Sequence, residues 1–118
     1  MDPELLEEIE REIARLRRRY AAFMRERSDA QEVTARWAAE AAALRWFVPL
    51  EDVVESDIDV EILSEVVIVR ANRTWPEPAV LMGILPVPHG FDPADPVILF
   101  REETLEVRIQ RTRLGAAQ

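Results

Sequence analysis

Few side chains in this 118-residue chain could do chemistry, and they fall in two places. Glu55, Asp57, Asp59 and Glu61 form an acidic run of the oxygen donors that calcium takes. Strand alternation, however, sends such side chains to opposite faces, and no glycine turns the segment into a calcium loop. A solvated strand edge is the expected outcome. His89 and Asp92 have the types and spacing of an acid–base pair, yet no serine, threonine or cysteine stands near them to act as nucleophile, and the surrounding prolines mark a rigid loop. Cysteine is absent, which excludes disulfides, thiolate nucleophiles and cysteine-ligated zinc or iron–sulfur centres, and one histidine cannot build a histidine-rich metal site. There is no glycine-rich phosphate loop and no Gly-Lys-Ser/Thr sequence. No catalytic, cofactor or metal residue is therefore expected, and the chain reads as a binding protein rather than an enzyme.

Charge narrows the partners. A net charge of -8 disfavours general attraction to nucleic acid or anionic lipid, so neither is expected as a partner. Arg15, Arg17, Arg18 and Arg19 form a local basic cluster, read as a solvated helix face pairing with Glu7, Glu8, Glu10 and Glu12 at helical spacing. The sequence shows no apolar run of secretory or membrane-spanning length, and a cytoplasmic protein is the default expectation. Among the large apolar anchors, Trp46 is expected to pack at a helix–sheet junction, and Trp75, flanked by a turn proline, is the candidate for an exposed contact.

These residues need elements to position them. Asp2-Pro3 is a helix start, an aspartate cap followed by proline at the first helical position. From it runs the apolar series Leu5, Ile9, Ile13, Leu16, Tyr20 and Phe23, one narrow stripe at steps of three and four. The series continues through Trp37, Ala41 and Leu44, so residues 1–45 read as a helical segment. A capping box at Ser28-Asp29 would instead fold it into a helical hairpin, and both forms stay open. The stripe suits a helix partner. Self-association through it is the expectation, against packing onto the chain's own sheet, because the back half looks too small to cover so long a seam.

Beyond Leu44 the period changes to two. Ile58, Val60 and Ile62 alternate with Asp59 and Glu61 as in a half-buried strand, and Val66 to Val69 is a β-branched run typical of a strand covered on both faces. Thr74 to Pro78 is a loop, Val80 to Leu85 a strand, and Pro86 to Pro96 a second loop. Val97 to Arg101 and Thr104 to Gln110 follow as strands around the turn Glu102-Glu103, with Leu105, Val107 and Ile109 inward. A small β-sandwich preceded by helix results.

The order of these segments resembles the α-crystallin domain of the small heat-shock proteins. Ser56-Asp57-Ile58-Asp59-Val60-Glu61-Ile62 is similar to the family's acidic turn and alternating strand. Leu85-Pro86, the loop with His89 and Gly90, and Asp92-Pro93-Ala94-Asp95 resemble its strand end and following loop, and Leu105-Glu106-Val107-Arg108-Ile109 its closing strand. The likeness runs from Trp46 to Arg111 and implies a mainly β fold, an immunoglobulin-like α-crystallin-type sandwich, over residues 46–111, with 112–118 as a short tail. It also implies a groove lined by Val60, Ile62, Ile98 and Phe100, which accepts a client segment or an Ile-x-Ile tail in family members. Covering of that groove by the chain's own helices is the competing expectation.

The departures are definite. The turn before Thr104 lacks glycine, one segment (Trp46 to Leu50) stands where the family has two opening strands, and the 74–78 loop is too short for the strand that bacterial members exchange. No Ile-x-Ile motif occurs in 112–118, so large cages are not expected. The resemblance implies an ATP-independent chaperone acting on protein clients as a homodimer or small homo-oligomer. The alternative is a non-chaperone adaptor or assembly protein with one specific partner.

Overall fold

The computed structural model describes residues 2–26 and 29–112. Helix α1 (Pro3–Arg19) starts where the sequence places it: the Asp2 carboxylate accepts from the Glu4 amide at 3.0 Å and Pro3 occupies the first turn. After Tyr20 a short helix, α2 (Ala21–Arg25), follows. Eight strands come next among the described residues. They are β1 (Ala30–Glu32), β2 (Arg36–Ala39), β3 (Ala43–Pro49), β4 (Ile58–Ile62), β5 (Val66–Arg73), β6 (Ala79–Pro86), β7 (Phe91–Arg101) and β8 (Thr104–Arg111). They form two four-stranded sheets, ordered β1-β6-β5-β4 and β2-β3-β8-β7.

The helical reading of residues 1–45 is corrected here: helix ends at Arg25, and the alanine-rich stretch is a β-hairpin, so the sandwich starts at Ala30 and not at residue 46. Long-range pairing overrides alanine's helix preference. Trp37 faces Trp46 and Ala39 faces Leu44 across β2 and β3, while Arg111 holds the hairpin tip, its amide donating to the Ala42 carbonyl at 2.9 Å and its Nε to the Ala41 carbonyl at 2.8 Å. Both opening strands are thus present. The capping box at Ser28 and the tail from residue 113 lie outside the described residues.

The self-association reading of the apolar stripe is also corrected. Ile9, Ile13 and Leu16 are buried within the chain, and Leu5, Tyr20 and Phe23 pack against its core. The reason lies in β5, whose β-branched run is buried on both faces as its sequence requires. Val67 and Val69 meet Leu44, Trp46, Val48, Val107 and Ile109 between the sheets. Val66 and Ile68 face outward with Met82 and Ile84, and Tyr20, Phe23 and Met24 cover them. The stripe is thus divided: Leu5, Ile9 and Ile13 join the main core with Leu44, Trp46 and Leu85, and Tyr20 and Phe23 cover the outer face. Arg19 fastens the arrangement through two bonds to the Glu65 carboxylate, at 2.6 and 2.9 Å.

The second expected loop is shorter than residues 86–96. Phe91 and Asp92 already pair with Arg111 and Gln110, an irregularity follows, and regular pairing resumes at Val97. Pro93 and Pro96 sit at that irregularity on an edge strand, where missing amide donors interrupt no ladder. The β7–β8 turn is made without glycine: Glu102 and Glu103 both lie in the left-handed region, at φ 50° and 61°. Such a conformation costs a non-glycine residue roughly 1–2 kcal/mol. Glu103 is tied in, its carbonyl accepting from Leu50 and its carboxylate from the Asp52 amide, each at 2.8 Å, whereas Glu102 has no such bond among the described residues. Replacing Glu102→Asn is therefore expected to stabilise the domain by about 0.5–1 kcal/mol, read as a higher urea midpoint at unchanged slope.

Candidate functional site

Each sheet ends in an edge strand on the same side of the sandwich, β4 in one and β7 in the other. Between them lies an opening of about 170 Å³ lined by Glu55, Ile58, Val60, Ile98, Phe100 and Leu105. Three of the four expected groove residues, Val60, Ile98 and Phe100, come together there. Alternation explains it: Val60 follows Ile58 on one face of β4, and Ile98 and Phe100 share one face of β7. Ile62 continues the β4 face but falls outside the opening and is 43% exposed. Ile58 and Leu105 complete the lining; their signal was the same alternation, one step N-terminal to Val60 and to Val107.

No residue of α1 or α2 lines this opening. The helices pack elsewhere, Ile9 and Ile13 of α1 with Leu85 and Val87 in the main core and Tyr20, Phe23 and Met24 over the outer face of β5 and β6, which overturns the expectation that they cover the groove. Ile98 is consequently 38% exposed, and Val97 and Leu99 beside it are exposed as well. Edge strands also offer backbone donors and acceptors to an extended segment. Chemically the site can grip aliphatic side chains, with the Glu55 carboxylate as a polar neighbour.

The other singled-out residues separate cleanly. Trp46 is fully buried, its indole N–H donating to the Pro86 carbonyl at 3.1 Å with the Arg17 guanidinium 5.9 Å from the ring centroid. Trp75, on the β5–β6 loop, is 72% exposed. Glu55 and Asp57 belong to a single 3₁₀ turn and Asp59 and Glu61 to β4; among the described residues no group of three or more acidic or histidine side chains is arranged to hold a metal. The His89 amide donates to Glu12 at 2.9 Å, and no hydrogen bond joins His89 to Asp92. In the arginine cluster, Arg15 lies 3.6 Å from Glu12 and Arg19 pairs with Glu65, while Glu7, Glu8 and Glu10 take part in no ion pair among the described residues.

A larger hollow of about 590 Å³ opens between the helices and the β1–β6 edge. Ala14, Ala21, Met24 and Ile84 supply apolar lining, with Arg17, Arg18 and Arg25 among the charged groups. Tyr20 borders it with its phenol held above the usual tyrosine value, first by burial and then by the Glu65 carboxylate. No helix among the described residues is long and apolar enough to cross a membrane.

No protein-family model and no curated protein matches the sequence. Solved structures do match the fold. HSP18.5 from E. histolytica superposes with a TM-score of 0.63 at 13% identity, over 69% of this chain and 88% of that one. Heat shock protein 16.0 from Schizosaccharomyces pombe gives 0.62 at 11%, over 71% and 69%. A small heat-shock protein from Xylella fastidiosa gives 0.59 at 11%, over 67% and 84%. At such identities the likeness is one of fold: the chain is a mainly β protein with the sandwich of the small heat-shock proteins and an N-terminal helix.

Proposed function

We propose that this chain is an ATP-independent, small heat-shock-like chaperone of the cytoplasm that holds exposed apolar segments of unfolding proteins, without catalysis. The observation that carries the reading is the open β4–β7 groove, where Val60, Ile98 and Phe100 are left uncovered by the chain's own helices. An extended client segment would place an aliphatic side chain in the opening and pair its backbone with an edge strand. Glu55 at the lining favours a basic residue beside that side chain. Burying two isoleucines gains only about 3–6 kcal/mol before association is subtracted, so capture is weak and reversible. That suits a holdase.

The test is light scattering of several unrelated clients at unfolding temperatures, without nucleotide. Wild-type protein is expected to suppress aggregation of all of them. Ile98→Asp is expected to remove most of the protection while keeping the circular dichroism and melting curve, since Ile98 is partly exposed already. Protection undiminished in that variant places capture elsewhere. Exposed Trp75 favours the second reading, an adaptor that uses this loop for one partner. An adaptor would protect none of the clients.

A further inference from the structure

We propose that the hollow beside α2 receives the acidic first half of α1 from a second copy of the chain, in an antiparallel, two-fold helix pairing. This does not depend on the groove. Charge in the helical region is segregated: residues 2–12 carry six carboxylates and one arginine, and residues 13–25 carry five arginines and no carboxylate. Intrachain contacts absorb only part of this. Glu12 meets Arg15 and the His89 amide, and Arg19 is taken by Glu65. Among the described residues Glu7, Glu8 and Glu10 at one end, and Arg17, Arg18 and Arg25 at the other, have no carboxylate–guanidinium partner within 4.0 Å.

Four of these groups, Glu7, Glu10, Arg17 and Arg18, share a face of α1. Leu6, Glu7, Glu10, Ala14, Arg17 and Arg18 recur at helical spacing to one side of the buried Ile9, Ile13 and Leu16. Leu6 is half-buried yet packs against neither core cluster, an apolar knob flanked by acids. The hollow is its complement: apolar at Ala14, Ala21, Met24 and Ile84, and cationic at Arg17, Arg18 and Arg25, with Glu32 the carboxylate in its lining. Two-fold symmetry makes knob and hollow meet twice, acid end on basic end both times, and small Ala14 lets the helices approach closely. A net charge of -8 otherwise drives copies apart, so attraction has to be local.

Sedimentation equilibrium and native mass spectrometry of the full chain test this. The wild type is expected to be a dimer at low salt, with a dissociation constant that rises as salt screens the pairs. Arg18→Glu/Arg25→Glu and Glu7→Arg/Glu10→Arg alter exposed positions whose side chains make no hydrogen bond or ion pair among the described residues, and should stay folded. Each is expected to raise the dissociation constant about 100-fold or more by setting like charges together. An equimolar mixture of the two should recover a heterodimer, because both ends are then complementary again. A wild-type monomer at about 100 μM in low salt, reversed variants with unchanged mass, or a mixture that fails to pair overturns the proposal. So does a monomer whose Met24 and Ile84 methyl resonances respond to dodecanoate, which makes the hollow a site for small anionic amphiphiles.

Discussion

Replacing Trp46→Ala is expected to destabilise the protein by about 3–5 kcal/mol, a large part of the roughly 5–15 kcal/mol that holds a domain of this size together. Trp46 is fully buried in β3, opposite Val107 on one side and Trp37 on the other. Truncation removes the largest fully buried side chain among the described residues and leaves a cavity between the sheets. It also strips the Pro86 carbonyl of its indole donor, at the end of β6. The melting temperature should fall by about 10–25 °C. Trp46→Phe, which keeps most of the volume and loses the donor, should fall by much less, about 1–2 kcal/mol. Calorimetry on the three proteins separates the packing contribution from the hydrogen bond. Equal losses in both variants, or a loss below about 1 kcal/mol in the alanine variant, would show that Trp46 does not anchor the sandwich.

Most strands were legible because their sequences carry the period of a pleated surface. Leu105, Val107 and Ile109 alternate with Glu106 and Arg108, and their burial follows the alternation. The residues from Ala30 to Ala43 misled for a physical reason. Their alanines favour helix locally, and much of the signal for strand is non-local: β1 pairs with residues 80–82, β3 lies along β8, and Arg111 clamps the hairpin tip. A window along the chain does not contain that information. Likewise Phe91 and Asp92 read as loop between prolines, but their partners Arg111 and Gln110 lie about twenty residues away in sequence.

The site was legible to the extent that faces are. Val60, Ile98 and Phe100 follow from strand alternation and the resemblance together; that Ile62 misses the opening depends on where β4 passes β7, which alternation does not encode. The apolar stripe shows the same limit. Periodicity identifies a face that must be buried, not the surface that buries it. Half of the clue was present in Val66 to Val69: a strand needing cover on both faces demands a layer outside the sheet, which Tyr20, Phe23 and Met24 supply, while Ile9 and Ile13 enter the core between the sheets, a placement no local pattern encodes.

That assignment makes Ile13→Glu a decisive substitution. Ile13 is 3% exposed among Leu44, Trp46, Val48 and Leu85 in the main core cluster, so a carboxylate there is either buried without a partner or expels the helix. The expected cost is at least about 3 kcal/mol, and Ile9→Glu added to it should detach α1 altogether. Detachment uncovers the part of the main core that Ile9 and Ile13 close and, as Tyr20, Phe23 and Met24 are drawn away with α1, exposes Val66, Ile68, Met82 and Ile84 on the outer face of β5 and β6, an apolar patch that binds hydrophobic dyes and aggregates. Denaturant unfolding, dye fluorescence and mass on the same samples read the three consequences. A stripe that bound a second copy would give a different pattern: a folded monomer of unchanged stability and no dye binding. The Glu7→Arg/Glu10→Arg protein supplies the contrast, because those side chains are exposed on the same helix and their reversal should leave dye binding and the denaturation midpoint unmoved. If Ile13→Glu matches that control in both readouts, the helix does not belong to the core of this sandwich.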